Sequence, residues 1–248
     1  MGTVSVTPHQ TPSQRLVEPT IPRCPVCHDT GWVRYDVQPS DTRFGQAFRC
    51  PCQREADANR RAERARDASD AAPEREGCTF STYEARYNAG ALQAVAAWAT
   101  GYVGWGCRIP GWSPWLFLHG GYGSGKTHLL GAAFYTLLDA GYAPIYSVSP
   151  LLLDHIRDGI TAGDYSERFY AVRDCPILLL DDLGAEASTP WAQEAMFKLI
   201  DYRYRLGRPL AVASNLSPDE LEPRIGSRLR DRKLSVTIQM VGPDWRTH

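Results

Sequence analysis

Gly120-Gly-Tyr-Gly-Ser-Gly-Lys-Thr127 follows an apolar run, Trp115-Leu-Phe-Leu118, and opens a helical pattern from about Lys126 to Ala140 that Gly141 stops. The eight residues match G-x-x-x-x-G-K-[ST], and strand–loop–helix is the context in which that pattern cradles phosphate. Glycines let successive backbone N–H groups turn inward and approach a β-phosphate closely. The helix beginning near Gly125 adds the positive end of its dipole. Lys126 is expected to bridge β- and γ-phosphate oxygens, and the Thr127 hydroxyl to bind Mg²⁺. The expected nucleotide cradle therefore runs through Gly120, Gly121, Tyr122, Gly123, Ser124, Gly125, Lys126 and Thr127 to His128. A glycine-rich turn that merely imitates the motif is the rival reading, and the two correct flanks weigh against it.

A phosphate cradle needs an acid on a neighbouring strand. Ile177-Leu-Leu-Leu-Asp-Asp182 supplies two, at the C-terminal end of a run apolar enough to be buried on both faces. Asp181 is expected to support Mg²⁺ directly or through water. Asp182 is expected to orient or deprotonate the attacking water, with Glu186 near enough in sequence to substitute. Leu210-Ala-Val-Ala-Ser-Asn215 ends a further buried strand, and the Asn215 amide is placed to meet the γ-phosphate or the water, although Ser-Asn after a strand is also ordinary turn chemistry. Arg224-Ile-Gly-Ser-Arg-Leu-Arg-Asp-Arg232 is dense in arginine. Spacing alone leaves open whether it is a solvated basic face or stabilises a phosphoryl group in trans.

Around these motifs, helices alternate with short apolar strands from Cys78 onward. Helical patterns cover Ala89 to Val103, Leu151 to Ile160, Tyr165 to Arg173, Trp191 to Leu206 and Ile225 to Arg232. Further strands are Ala143 to Val148 and Leu234 to Met240. Such alternation implies an α/β fold with a mostly parallel sheet covered on both sides.

Upstream, Met1 to Pro22 is rich in Thr, Ser, Pro and Gln and reads as a flexible tail. Residues 23–53 are bounded by Cys24-x₂-Cys27 and Cys50-x-Cys52, with two short strands, Gly31 to Tyr35 and Gln46 to Arg49, between them. Four soft thiolates in two close pairs suit tetrahedral Zn²⁺, which would hold together a unit too small for a core of its own. His28 is redundant for that set. Residues 54–77 carry Arg54, Arg60, Arg61, Arg64 and Arg66 among acids and read as an exposed linker helix. Residues 78–248 form the remaining domain. Cys78, Cys107 and Cys175 read as small buried hydrophobes.

The 248 residues hold 27 Lys+Arg against 28 Asp+Glu, a formal net charge of -1, which excludes a grip on nucleic acid by bulk positive charge. No apolar run approaches the ~20 residues of a membrane span, and the N-terminus lacks the apolar stretch of a secretory signal. The expectation is a soluble, cytoplasmic protein with no membrane partner.

Taken together, Gly120 to Thr127, Leu180 to Glu186, Ser214-Asn215 and Arg224 to Leu229 resemble the AAA+ ATPases that load bacterial replicative helicases, the DnaC/DnaI type, with IstB-like transposition ATPases as relatives. The resemblance spans about Cys78 to Arg246. It implies a P-loop NTPase fold with an AAA+ core and no C-terminal lid, preceded by a small N-terminal zinc-binding module that engages the helicase. It implies ATP hydrolysis at subunit interfaces, self-association, and loading of a ring-shaped replicative helicase onto single-stranded DNA. By the same resemblance Asn215 is the sensor 1 residue, Arg228 the arginine finger for a neighbour's ATP, and Thr79-Phe80 the linker passing near the adenine. The single-stranded DNA contact falls within Leu151 to Arg173, with Arg157, Arg168, Phe169, Tyr170 and Arg173 as candidates. Two other readings remain at this point: an ATPase assisting DNA transposition, and an adaptor that binds ATP with little turnover.

Overall fold

The computed structural model describes residues 24–28, 30–34, 36, 38–39, 44–50, 69, 77–102, 111–186 and 189–244. The tail, Cys52, Cys107 and all of the charged stretch 54–76 but Ser69 lie outside the described residues. The chain divides into two compact units, Met1–Arg54 and Glu55–His248.

In the first unit, β1 (Trp32–Arg34) pairs antiparallel with β2 (Ala47–Arg49), Trp32 standing opposite Arg49. Cys24, Cys27 and Cys50 are buried together, with Val33 packed against them.

The second unit is a five-stranded parallel sheet in which β3 (Trp115–Gly120), β4 (Pro144–Val148), β5 (Ile177–Asp181), β6 (Leu210–Ser214) and β7 (Ser235–Met240) lie in the order β4-β5-β6-β3-β7. Strand residues alternate between two cores, as the period of two requires. Leu116, Leu118, Ile177, Leu179, Ala211 and Ala213 meet α1 (Ala89–Thr100) and α2 (Lys126–Asp139). Trp115, Phe117, Leu178, Leu180, Leu210 and Val212 face α3 (Ser149–Ala162), α4 (Tyr165–Asp174), α5 (Pro190–Leu206) and α6 (Pro223–Leu229). Burying every residue of β5 and β6 accounts for their unbroken apolar sequences. Because β6 lies between β3 and β5, the C-terminal ends of three adjacent strands open into one crevice, where ligands bind in sheets of this kind.

The helices begin and end for local reasons. Pro190 starts α5, the Thr189 hydroxyl accepts from the Ala192 amide at 3.2 Å, and Gly207 stops the helix at φ +60°. Helix α6 starts two residues before its expected first residue because Pro223 sits at its first turn and the Glu222 carboxylate accepts from the Ile225 amide at 3.0 Å. It stops at Leu229, short of the expected Arg232. Arg203, fully buried in α5, donates to the carbonyls of Arg173 (3.1 Å), Cys175 (3.0 Å) and Pro209 (2.6 Å). It thereby satisfies backbone acceptors where α4 ends, a helix terminus that otherwise leaves carbonyls orphaned. Cys175 is buried as expected. Cys78 is not; it is half-exposed at the entry to the domain, ahead of the first core helix. Among the described residues no helix is long and apolar enough to cross a membrane.

Candidate nucleotide site

The loop between β3 and α2 is shaped by glycine where nothing else fits. Gly120 has φ +140°, and a Cβ there would lie 2.1 Å from the Met240 carbonyl oxygen. Gly125, at φ +90°, lies under Tyr83, whose ring would be 2.7 Å from a Cβ. Gly120→Ala is therefore expected to destabilise the domain by about 3 kcal/mol, since strain and collision add. Gly121→Ala, which meets nothing within 4 Å, is the control in the same urea titration. Equal midpoints for the two variants would refute the account.

Lys126 begins α2 and is only 7% exposed. Its ammonium donates to the carbonyls of Gly120 (2.8 Å) and Gly121 (2.7 Å) and to the Ser124 hydroxyl (3.3 Å), so it sits inside the loop rather than projecting from it. The loop from Tyr122 to His128 forms one wall of a 620 Å³ cleft. Asp181, Asp182, Asn215 and Val148 line it from the strand ends, and Thr82, Tyr83 and Glu84 from the segment before α1.

The two acids of β5 are held differently. Asp181 is buried; Oδ2 accepts from the Tyr146 hydroxyl at 2.7 Å and Oδ1 from the Asp182 amide at 2.9 Å. Asp182 takes a left-handed backbone, φ +55°, and its Oδ1 accepts from the Asn215 amide Nδ2 at 2.9 Å. The next turn is strapped to β6, Leu183 donating to the Ala213 carbonyl (2.9 Å) and Ser214 Oγ to the Leu183 carbonyl (2.5 Å). Asn215 thus lines the cleft with its amide bonded to Asp182. Glu186 does not line this cleft. Its carboxylate accepts from the Gly184 amide at 2.8 Å in a separate 530 Å³ cavity, where burial pushes its pKa up. Of the two acids expected from the sequence to activate water, Asp182 is the one that lines the cleft.

The segment expected to carry the linker contact at Thr79-Phe80 reaches the cleft at Thr82 to Glu84. Thr79 instead accepts from His128 Nε2 at 2.8 Å, and Phe80 packs against the core beside α2. The spacing of two aromatics, Phe80 and Tyr83, was the available signal. Asn88 carried none. Buried beside the loop, it donates to the Val241 carbonyl (2.7 Å), accepts from the Val241 amide (2.9 Å) and lies 3.5 Å from the Ser124 carbonyl, tying the exit of β7 to the cradle.

Arg228 is away from the cleft. Its guanidinium pairs with Asp201 of α5, donates to the Arg224 carbonyl at 2.7 Å and lies over the rings of Phe197 and Tyr204. Among the proposed DNA contacts Phe169 must be corrected: it is 7% exposed and belongs to the core below α4. Tyr170 is 49% exposed, with Arg173 stacked 4.3 Å above its ring. Arg168 and Arg157 are paired with Asp164 and Asp154.

In the first unit the sulfurs of Cys24, Cys27 and Cys50 all lie within 4.8 Å of one another, and Cys24 and Cys50 are 3.7 Å apart. Thiolates 2.3 Å from a shared tetrahedral ion stand about 3.8 Å apart, so this donor set fits zinc. The Gly31 amide donates to Cys27 Sγ at 3.4 Å, and His28 points to solvent from a left-handed turn.

Residues 87–239 match the family described as the ATPase domain of bacterial DnaA. A replicative helicase loader, DnaI of Bacillus subtilis, is 30% identical over 122 residues, covering 49% of this chain and 39% of that protein. The chain therefore spans well under half of that relative's length. In three dimensions a crystal structure of DnaI superposes with a TM-score of 0.55 at 24% identity, over 67% of this chain and 89% of that one. The DnaC helicase loader superposes at 0.56 and 20% identity, over 66% and 97%.

Proposed function

Because the chain belongs to the family of the bacterial DnaA ATPase domain and has the AAA+ fold, we propose that it binds and hydrolyses ATP to load a ring-shaped replicative helicase onto single-stranded DNA. One observation carries this reading: Lys126, Thr127, Asp181, Asp182 and Asn215 line a single cleft at the ends of three adjacent strands. A 620 Å³ cleft is of the size that holds a small-molecule ligand.

In this reading the loop amides and the Lys126 ammonium hold the phosphates. Thr127 and Asp181 would hold Mg²⁺, which supplies charge neutralisation on the phosphate oxygens. Asp182 accepts the proton of the attacking water or orients it, and the Asn215 amide keeps that carboxylate in place. Arg228 lies outside its own chain's cleft and is proposed to serve the nucleotide of a second copy, with self-association through that face. The helicase is taken as partner because DnaI and DnaC are named as helicase loaders. Zn²⁺ held by Cys24, Cys27, Cys50 and Cys52 is proposed to build the surface that meets it. The exposed Tyr170 ring is proposed for single-stranded DNA, beside a half-buried Arg173 that is paired with Asp174.

Asp182→Asn tests the catalytic part. Asparagine tolerates the left-handed backbone and keeps the oxygen that Asn215 contacts, so the fold is expected to persist. Turnover is expected to fall about 10²–10⁴-fold while nucleotide affinity stays within a few-fold of the parent. Unchanged turnover would replace this reading with that of an adaptor.

A further inference from the structure

Strands β4 and β5 pair in parallel with Tyr146 opposite Leu179 and Val148 opposite Asp181. Tyr146 and Asp181 therefore share one face of the sheet as diagonal neighbours, a separation that only a long side chain bridges. Tyr146 is fully buried, and its hydroxyl donates to Asp181 Oδ2 at 2.7 Å. Its ring meets the edge of Phe134, on the helix that begins with Lys126 and Thr127. Asp181 Oδ1 is held by a backbone amide that every residue at that position would receive, so Oδ2 is the oxygen whose orientation depends on a side chain.

Resting on the ATPase reading above, we infer that Tyr146 is a positioning residue for the magnesium site: it fixes the plane of the Asp181 carboxylate and leaves its free lone pairs toward the cleft. The hydroxyl is suited to the task. A phenol keeps its proton at neutral pH, and this one is buried with the carboxylate oxygen as its acceptor. A hydrogen bond to a charged acceptor is the strong kind, and here its donor is fully buried. The tyrosine lies 35 residues from the acid in sequence and belongs to no motif.

The experiment is a Mg²⁺ titration of fluorescent ATP-analogue binding to the full chain, parent against Tyr146→Phe. The Mg²⁺ concentration giving half-maximal tightening is expected to rise about tenfold, as loss of one charge-assisted hydrogen bond implies. Binding in EDTA is expected to stay within about twofold. A tyrosine with a structural role alone would lower the thermal midpoint without moving the Mg²⁺ requirement, and that result overturns the inference. Against a misfolded variant, 3-fluorotyrosine placed at residue 146 provides a second reading: its fluorine resonance should move when Mg²⁺ joins the nucleotide complex, and a stationary signal overturns the inference too. If the parent chain takes up no nucleotide at any Mg²⁺ concentration, the ATPase reading falls and this inference with it. If the parent binds and Tyr146→Phe matches it, only the role of Tyr146 falls.

Discussion

Lys126→Ala is expected to weaken binding of ATP with Mg²⁺ at least about 100-fold, measured by calorimetry on protein whose thermal midpoint is within a few degrees of the parent. The lysine is the cation that lines the cleft from within the phosphate loop, and it is almost wholly buried there. Its ammonium donates to two loop carbonyls and the Ser124 hydroxyl, which hold the positive charge on the floor of the site. A triphosphate brought into that cleft meets aligned amides, a helix N-terminus and this charge together. Amides and dipole remain in the variant, but the one full charge does not, and charge-assisted contacts to phosphate are the strongest single interactions available. The factor of about 100 corresponds to roughly 2.7 kcal/mol, within the range of a lost charged hydrogen-bonding group. Affinity within a factor of ten of the parent would mean that nucleotide does not occupy the loop, and the functional reading would have to be abandoned.

Removal of metal from the cysteine cluster is the second large effect. Purified chain is expected to carry one zinc per molecule, and chelation to unfold the unit containing Cys24, Cys27 and Cys50 while the other unit keeps its nucleotide binding. Among its described residues the first unit offers two three-residue strands and a core of Cys24, Cys27, Cys50 and Val33. That burial is too small to offset the conformational entropy of ordering the segment. Structural zinc contributes on the order of 10–16 kcal/mol in comparable small modules, so its loss removes nearly the whole of the stability. Limited proteolysis of chelated protein should cut within residues 24–50 first and leave the ATPase unit intact. Cys27→Ser should reproduce the effect. The same chelated protein is expected to lose its hold on the helicase in a pull-down. An unchanged cleavage pattern after complete metal removal would refute the structural role, and unchanged helicase capture would refute the proposed docking role.

The phosphate cradle was readable because its information is contiguous. Gly120, Gly125, Lys126 and Thr127 are set by eight neighbouring residues whose backbone conformation is local, and the flanking apolar run and helical pattern are local too. Asp181 was readable for a related reason: an acid at the end of a run apolar on both faces has to emerge at the sheet's C-terminal edge. The layered α/β architecture followed from the same periodicities. Other features depended on which strands lie side by side and in what register. Asp182, not Glu186, faces the cleft because the turn after β5 is strapped to β6. Phe169 falls into the core although its neighbour Tyr170 does not, a difference of one residue on a helix whose rotation is chosen by packing against its neighbours. Arg203 is buried on carbonyls distant in the chain, and Tyr146 meets Asp181 only through the parallel pairing of β4 with β5. Backbone conformation over a few residues is governed by steric rules that each residue carries with it. Partnership across the sheet is the sum of many weak contacts over the whole domain, which no short segment contains.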